Sequence, residues 1–333
     1  MNPSLVGLDE IRAAAVRIRG VARRTPLLDA PLASGRVWLK AESLQRVGAF
    51  KLRGAYNFLA SCEPSALSGG VVTYSSGNHA QAVAWSARAF GVPATVVMPT
   101  DAPPVKREAT IGYGARVEEV GTTTVERRAR AEELLSERGG VMVPPFDHPA
   151  IIAGQGTAGI EIHDQMGEER IRRADSGSAV GSLSLLLVPI GGGGLIAGVA
   201  AAIRALSPET RIIGVEPEGA PKMRRSLEAG APVTLDQVST IADGLKPVRP
   251  GDLTFEHVRQ LVDDVVLVDE DSIRRAVLWC YDRRLVVEPS GAATVAALLS
   301  GLVTPAPAGE TCALLSGGNL DPQLMATWLE QAS

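Results

Sequence analysis

Short apolar runs alternate with stretches of helical spacing over most of the chain. Val71-Val72-Thr73-Tyr74 predicts a strand that runs into Ser75-Ser76-Gly77-Asn78-His79 and then an alanine-rich helix to about residue 90. Gly91-Val92-Pro93 ends that helix, and residues 94–98 form the next strand. A helix follows Pro103-Pro104, and Gly112-Tyr113-Gly114 reads as a turn. Residues 125–138 are helical in spacing and 141–143 form a strand. Leu185-Leu186-Leu187-Val188 is apolar on both faces, which predicts a strand in the centre of a parallel sheet. It ends at four glycines, Gly191 to Gly194, and a helix runs on to about residue 206. Further strands are expected at 211–215, 265–268 and 312–315, with helices at 271–283, 290–300 and 321–330. Strand alternating with helix is the pattern of a parallel α/β protein.

Toward the N-terminus, residues 9–21 have helical spacing, 36–40 read as a short strand and 54–61 as a helix. Residues 151–166 read as a helix after a Gly-Gln-Gly interruption, and 170–182, basic and then Ser- and Gly-rich, as an exposed connection. The length of 333 residues suggests two domains. The pattern places a small one at 70–147 and a large one at 1–69 with 148–333.

Composition changes this picture only by exclusion. A formal net charge of -4 gives no basic face for nucleic acid. Cys62, Cys280 and Cys312 are too scattered for a disulfide framework or a metal site, so a reducing cytoplasm is expected. Met1-Asn2-Pro3-Ser4 does not open a secretory signal. The apolar window 183–202 is interrupted by Pro189 and the four glycines, so it reads as strand, turn and helix, and no membrane span is expected.

Four stretches carry chemistry. In Gly48-Ala49-Phe50-Lys51-Leu52-Arg53-Gly54-Ala55 a lysine sits among small and apolar residues. Lost hydration lowers the pKa of such an ammonium, and a neutral amine can form a Schiff base with a carbonyl. A solvated surface lysine is the plain alternative. Gly191 to Gly194, between strand and helix, let the backbone approach an anion at a helix N-terminus, with phosphate as the natural guest. No Gly-Lys-Ser/Thr follows, which argues against a nucleoside triphosphate loop. The same stretch has a rival reading. Gly192, Gly194 and Ala197 fit G-x-G-x-x-A, and Glu216 follows the next strand as a ribose-binding acid would, so an NAD-dependent oxidoreductase is a competing class. In Ser75-Ser76-Gly77-Asn78-His79 the hydroxyls, amide and free N–H groups can bind a carboxylate, or either serine can be a simple N-cap. Ser316, in Leu315-Ser316-Gly317-Gly318-Asn319, ends a strand where its hydroxyl can meet a ring nitrogen or merely shape a turn.

Taken together these stretches resemble the fold-type-II pyridoxal-phosphate enzymes, in the threonine dehydratase and serine racemase group. Ala153-Gly154-Gln155-Gly156-Thr157 and Ala242-Asp243-Gly244 complete the match, which runs from about residue 26 to 319. The resemblance implies a tryptophan synthase β-like fold, with two parallel-sheet three-layer domains and the cofactor between them. By position it implies that Lys51 carries pyridoxal 5'-phosphate, and that Gly191, Gly192, Gly193, Gly194 and Leu195 hold its phosphate. Asn78 would meet the ring hydroxyl and Ser316 the pyridine nitrogen. Ser75, Gly77 and His79 would surround the substrate carboxylate, with Ser76 on the face opposite Lys51.

The implied reaction is β-elimination of L-threonine or L-serine to a 2-oxo acid and ammonia. Reprotonation by Ser76 would instead give a serine or aspartate-type racemase, and a bulkier 3-hydroxy amino acid is a further option. A neutral serine at the ring nitrogen favours prompt loss of the hydroxyl, and Pro145-Phe146-Asp147 is similar to the dehydratases. A catalytically silent amino-acid sensor is disfavoured by the intact Lys51 and Ser76. The resemblance also implies a homodimer. No room for a C-terminal regulatory domain is expected after the Ser316 turn. Racemase-like members bind a divalent cation through a Glu, a carbonyl and an Asp. Glu216 and Ala220 match the first two, but Lys222 stands at the third, so no metal is expected.

Overall fold

Two sheets divide the strands between them in a computed structural model that describes residues 4–102, 104–174 and 180–332. In chain order the first elements are α1 (Leu8–Arg17), β1 (Leu27–Leu32), β2 (Gly35–Ala41), α2 (Lys51–Ser61), β3 (Val71–Tyr74), α3 (Asn78–Phe90) and β4 (Ala94–Met98). Next come α4 (Pro104–Gly112), β5 (Arg116–Glu119), α5 (Thr124–Arg138), β6 (Val141–Met142), α6 (Pro149–Ala174), β7 (Leu183–Pro189) and α7 (Gly194–Leu206). Then β8 (Arg211–Pro217), α8 (Lys222–Ala229), α9 (Asp252–Leu261), β9 (Asp264–Val268), α10 (Glu270–Asp282), α11 (Pro289–Leu299), β10 (Glu310–Leu315) and α12 (Pro322–Ala332) complete the chain.

The larger sheet has the order β1-β2-β10-β7-β8-β9, parallel except for the β1–β2 hairpin. Strand β7 lies inside it, as its two-faced hydrophobicity requires. Leu185 and Leu187 enter a core with α10 and α11, while Leu186 and Val188 enter another with α6, α7 and α9. The smaller sheet, β5-β4-β3-β6, is parallel throughout. Its main core joins Val71, Val96 and Met98 to α3 and to Leu52, Ala55, Phe58 and Leu59 of α2, so the Lys51 helix is built into it. No described helix is long and apolar enough to cross a membrane.

Where the pattern reading fails, the reason is local. Strand β1 contains Asp29 and Pro31, which break alternation, but it is an edge strand where proline is tolerated. Strand β5 is likewise at an edge and carries charges, with Glu118 paired to Arg130 of α5 at 2.5 Å. Helices α8 and α9 also escaped the reading. Helix α2 begins at Lys51 itself, not at Gly54.

Gly154-Gln155-Gly156 does not interrupt α6; it lies inside it, and the helix continues through 170–174 where a connection was expected. Residues 175–179 of that stretch lie outside the described residues. These glycines are there for packing. A Cβ on Gly154 would fall 2.6 Å from the Arg53 carbonyl, and one on Gly156 2.8 Å from the Gly198 carbonyl. Gly198 answers from α7, where a Cβ would fall 2.1 Å from the Ile152 carbonyl. Helices α2, α6 and α7 therefore meet backbone to backbone. Gly198→Ala should cost about 1–3 kcal/mol through forced separation of α6 and α7, read as a lower urea midpoint at unchanged slope.

Candidate active site

Lys51 opens α2, and its loop is stitched to the turn after β10. Phe50 N–H donates to the Ser316 carbonyl at 3.1 Å and Gly318 N–H to the Gly48 carbonyl at 2.8 Å, while Ala49 bridges Gly317. Lys51 Nζ donates to the Pro145 carbonyl at 2.7 Å and lies 5.3 Å from the Phe50 ring centroid. Burial pulls its pKa down to about 8, so a useful fraction is neutral amine near pH 7. Arg53, two residues on, is fully buried between Glu42 and Glu161, each at 2.7 Å. Its charge is thereby compensated away from Lys51.

The residues after Pro145 connect Lys51 to the glycine turn. A Cβ on Gly192 would fall 2.2 Å from the Phe146 ring, and one on Gly194 3.0 Å from Phe146 Cβ. Asp147 caps α9, accepting from the N–H groups of Asp252, Leu253 and Thr254 at 3.0–3.1 Å. Thr254 in turn donates its hydroxyl to the Gly192 carbonyl at 2.7 Å. Gly193 has φ +98°, a conformation that favours glycine, and it starts α7 without any side-chain cap. The N-terminus of α7, with Leu195 in its first turn, is therefore dressed only in backbone, as an anion site requires.

The β3–α3 turn arrives from the smaller sheet. Neither Ser75 nor Ser76 is the N-cap of α3; that is Gly77, whose own N–H donates to the Ser75 hydroxyl at 3.4 Å, while no side chain caps the first turn of the helix. His79 is buried, its Nε2 lies 3.2 Å from the Val143 carbonyl, and burial lowers its pKa to about 3. The ring is thus neutral and occupied structurally. Asn78 donates to Glu288 at 2.5 Å and accepts from Asn319 at 2.7 Å, which joins this turn to the two turns of the larger sheet.

Ser316 is buried, and its hydroxyl lies 3.5 Å from the Ser290 carbonyl. The Ser290 hydroxyl accepts from Gly244 N–H at 2.8 Å, and the Gly244 carbonyl lies 2.8 Å from where a Gly191 Cβ would be. The contacts close a ring: Lys51, Pro145, Phe146, the glycine turn, Gly244, Ser290, Ser316 and back to the Lys51 loop. The Lys51, Gly191 to Gly194 and Ser316 stretches meet there, and the Ser75 to His79 turn is tied to them through Asn78, by its bonds to Glu288 and Asn319.

Three participants were missed. Glu288 precedes Pro289 and looks like a helix start, yet it is 1% exposed, and its Oε2 has no hydrogen-bond partner among the described residues. Burial raises its pKa, with Lys106 and Asn78 opposing. Lys106 of α4 pairs with Asp243 across to the larger sheet. Pro145 stands out in the sequence only as part of a dehydratase-like stretch; that its carbonyl meets Lys51 is a main-chain contact with no signal of its own. The dinucleotide reading is corrected. Glu216 is fully buried, accepts from Met223 and Arg224 N–H at 3.0 and 2.9 Å, and pairs with Lys222 at 2.9 Å. It cannot reach a ribose.

Comparison with known proteins agrees with this geometry. A family described as pyridoxal-phosphate dependent enzyme matches residues 18–317. An L-threonine ammonia-lyase of Geobacter sulfurreducens is 44% identical, over 96% of this chain and 77% of its own length. The catabolic L-threonine dehydratase of Escherichia coli is 40% identical, over 95% of this chain and 94% of its own. Among solved structures, maize serine racemase superposes with a TM-score of 0.90 at 36% identity, covering 99% of this chain and 98% of that one.

The lowered pKa of Lys51 has a direct kinetic readout. Cofactor-free protein should capture pyridoxal phosphate at a rate that rises with pH to a plateau, with a midpoint near 8, because only the neutral amine attacks. Stopped-flow absorbance measures it. A midpoint above about 10 would mean that Lys51 is hydrated like a surface lysine.

Proposed function

The chain belongs to the pyridoxal-phosphate dependent enzyme family, and within it we propose β-elimination of a 3-hydroxy amino acid, L-threonine or L-serine, to a 2-oxo acid and ammonia. The observation that carries the reading is the junction of an amine with pKa about 8 and a glycine-built helix start through Pro145 and Phe146. The residues present fit the cofactor. A Cβ on Gly191, Gly192 or Gly193 would collide with a neighbour and one on Gly194 would crowd Phe146 at 3.0 Å, Gly193 adopts a positive φ, and the buried Glu288 Oε2 is a polar atom without a partner among the described residues. When bound, pyridoxal phosphate supplies an electron sink for the bond broken at the substrate Cα.

The chain's own residues do the rest. Lys51 would hold the cofactor, and its neutral amine would take the Cα proton of the substrate. Gly191, Gly192, Gly193, Gly194 and Leu195 would hold the phosphate through N–H groups. Asn78 would orient the ring hydroxyl, with Glu288 fixing the Asn78 amide. Ser316 would offer the ring nitrogen a neutral hydroxyl. Ser75, Ser76 and Gly77, with the His79 main chain, would receive the substrate carboxylate at the uncapped start of α3. Phe146 and Thr254 keep the glycine turn in shape. Residues 70–147 act in this reading as the part that gates substrate.

The lyase names of the Geobacter and Escherichia proteins support elimination over racemisation as the main activity. Ser76 supports a racemase side reaction, as does the likeness to maize serine racemase. The same proposal includes a homodimer, checked by light scattering, and a cytoplasmic setting.

Lys51→Ala should lower keto-acid production about 10²–10⁴-fold and remove borohydride labelling of position 51. Labelling of another lysine would sink the assignment. With L-serine, Ser76→Ala should cut D-serine formed per keto acid by more than about tenfold, read by chiral chromatography beside keto-acid yield. An unchanged ratio would remove Ser76 from the racemising step.

A further inference from the structure

Lys222 is fully buried, far from any surface a lysine normally seeks, and its Nζ is surrounded by oxygen. It donates to the carbonyls of Ile190 at 2.9 Å, Leu245 at 3.0 Å and Ala220 at 3.1 Å, and pairs with Glu216 Oε1 at 2.9 Å. Four acceptors at these distances call for the three donors of an ammonium; a neutral amine has only two. Glu216 completes the arrangement by accepting from the first N–H groups of α8. The cage gathers the ends of β7 and β8 and the 243–245 turn around one positive charge.

Its position matters more than its composition. The Ile190 carbonyl belongs to the peptide whose N–H is that of Gly191. No peptide bond among the described residues is cis, so a carbonyl drawn toward Lys222 turns the Gly191 N–H to the opposite side. Thr254 and the Gly251 N–H hold the Gly192 carbonyl in the same way, at 2.7 and 3.3 Å, and so aim the Gly193 N–H. The Leu245 carbonyl fixes the neighbouring turn, whose Gly244 carbonyl lies against Gly191.

We propose that Lys222 is a positioning residue, a tethered cation that holds the glycine turn in its anion-binding form from within an oxygen cage otherwise suited to a hard divalent ion. This rests on the glycine turn being the cofactor phosphate site. The cage supplies one carboxylate and three carbonyls, the oxygen-only set that magnesium or calcium takes once a second carboxylate is added. The ammonium does that ion's work without dissociating.

The test compares equilibrium binding of pyridoxal phosphate and of pyridoxal, which lacks the phosphate, to cofactor-free protein by absorbance. Wild type should prefer the phosphorylated form strongly, and neither chelator nor millimolar magnesium should change that preference. In Lys222→Met the preference should fall at least tenfold while pyridoxal affinity stays the same, which a general loss of stability would not produce. In Lys222→Asp it should be weak in chelator and recover with magnesium or calcium. Full preference in Lys222→Met overturns the role of Lys222 and leaves the glycine-turn reading intact. No preference in wild type overturns both. If the variants do not fold, wild type still decides: a preference lost in chelator and restored by magnesium would show that an ion, not Lys222, does the work.

Discussion

An amine that must act as a nucleophile and base near neutral pH has to be kept out of water without being given an anion. The treatment of four lysine and arginine side chains in this protein makes the point. Arg53 is buried against Glu42 and Glu161, Lys40 against Glu161, and Lys222 against Glu216. Lys51 is given a peptide carbonyl instead. A carboxylate favours the ammonium and opposes the lowering that burial causes, as Glu161 does for Lys40 and Glu216 for Lys222, whereas at Lys51 burial acts with no anion against it. The Arg53 charge, two residues away on the same helix, is neutralised separately by its two carboxylates.

That constraint explains why the site sits where it does. Desolvating Lys51 takes walls from several directions, and no single turn has enough of them. The turn after β10 holds the loop from one side, the Pro145–Asp147 segment covers Nζ from another, and α2 is packed into the core of the smaller sheet. Asn78 bonds to Glu288 and Asn319, so the β3–α3 turn of the smaller sheet is joined to the same construction. The turns after β3, β7 and β10 take part, at the C-terminal ends of strands where parallel α/β sheets place their ligands, and Gly244, before α9, and Glu288 and Ser290, at the start of α11, join them.

Glycine is the material that makes such closeness feasible. The helices behind the site touch through Gly154, Gly156 and Gly198, and the turn in front is Gly191 to Gly194 with Phe146 laid against it. One set looks like a helix breaker and the other like a dinucleotide fingerprint. Both impressions come from composition, and both dissolve once the neighbour that fills the missing side chain is known.

The sequence by itself determined the fold class, the alternation of strands and helices, the central place of β7, and the motifs around Lys51, Ser75 to His79, Gly191 to Gly194 and Ser316. Those features are local: a run of residues carries its own periodicity, turn chemistry or motif. Only the tertiary structure decided that Gly154 and Gly156 lie inside a helix, that Glu216 is spent on Lys222 and α8, that the His79 ring turns to Val143, and that Glu288 stands beside Asn78. Each of these depends on a partner between 6 and 210 positions away, or on a main-chain carbonyl that every residue possesses. A contact between distant segments leaves no period in either one, so it becomes visible only when the chain is folded.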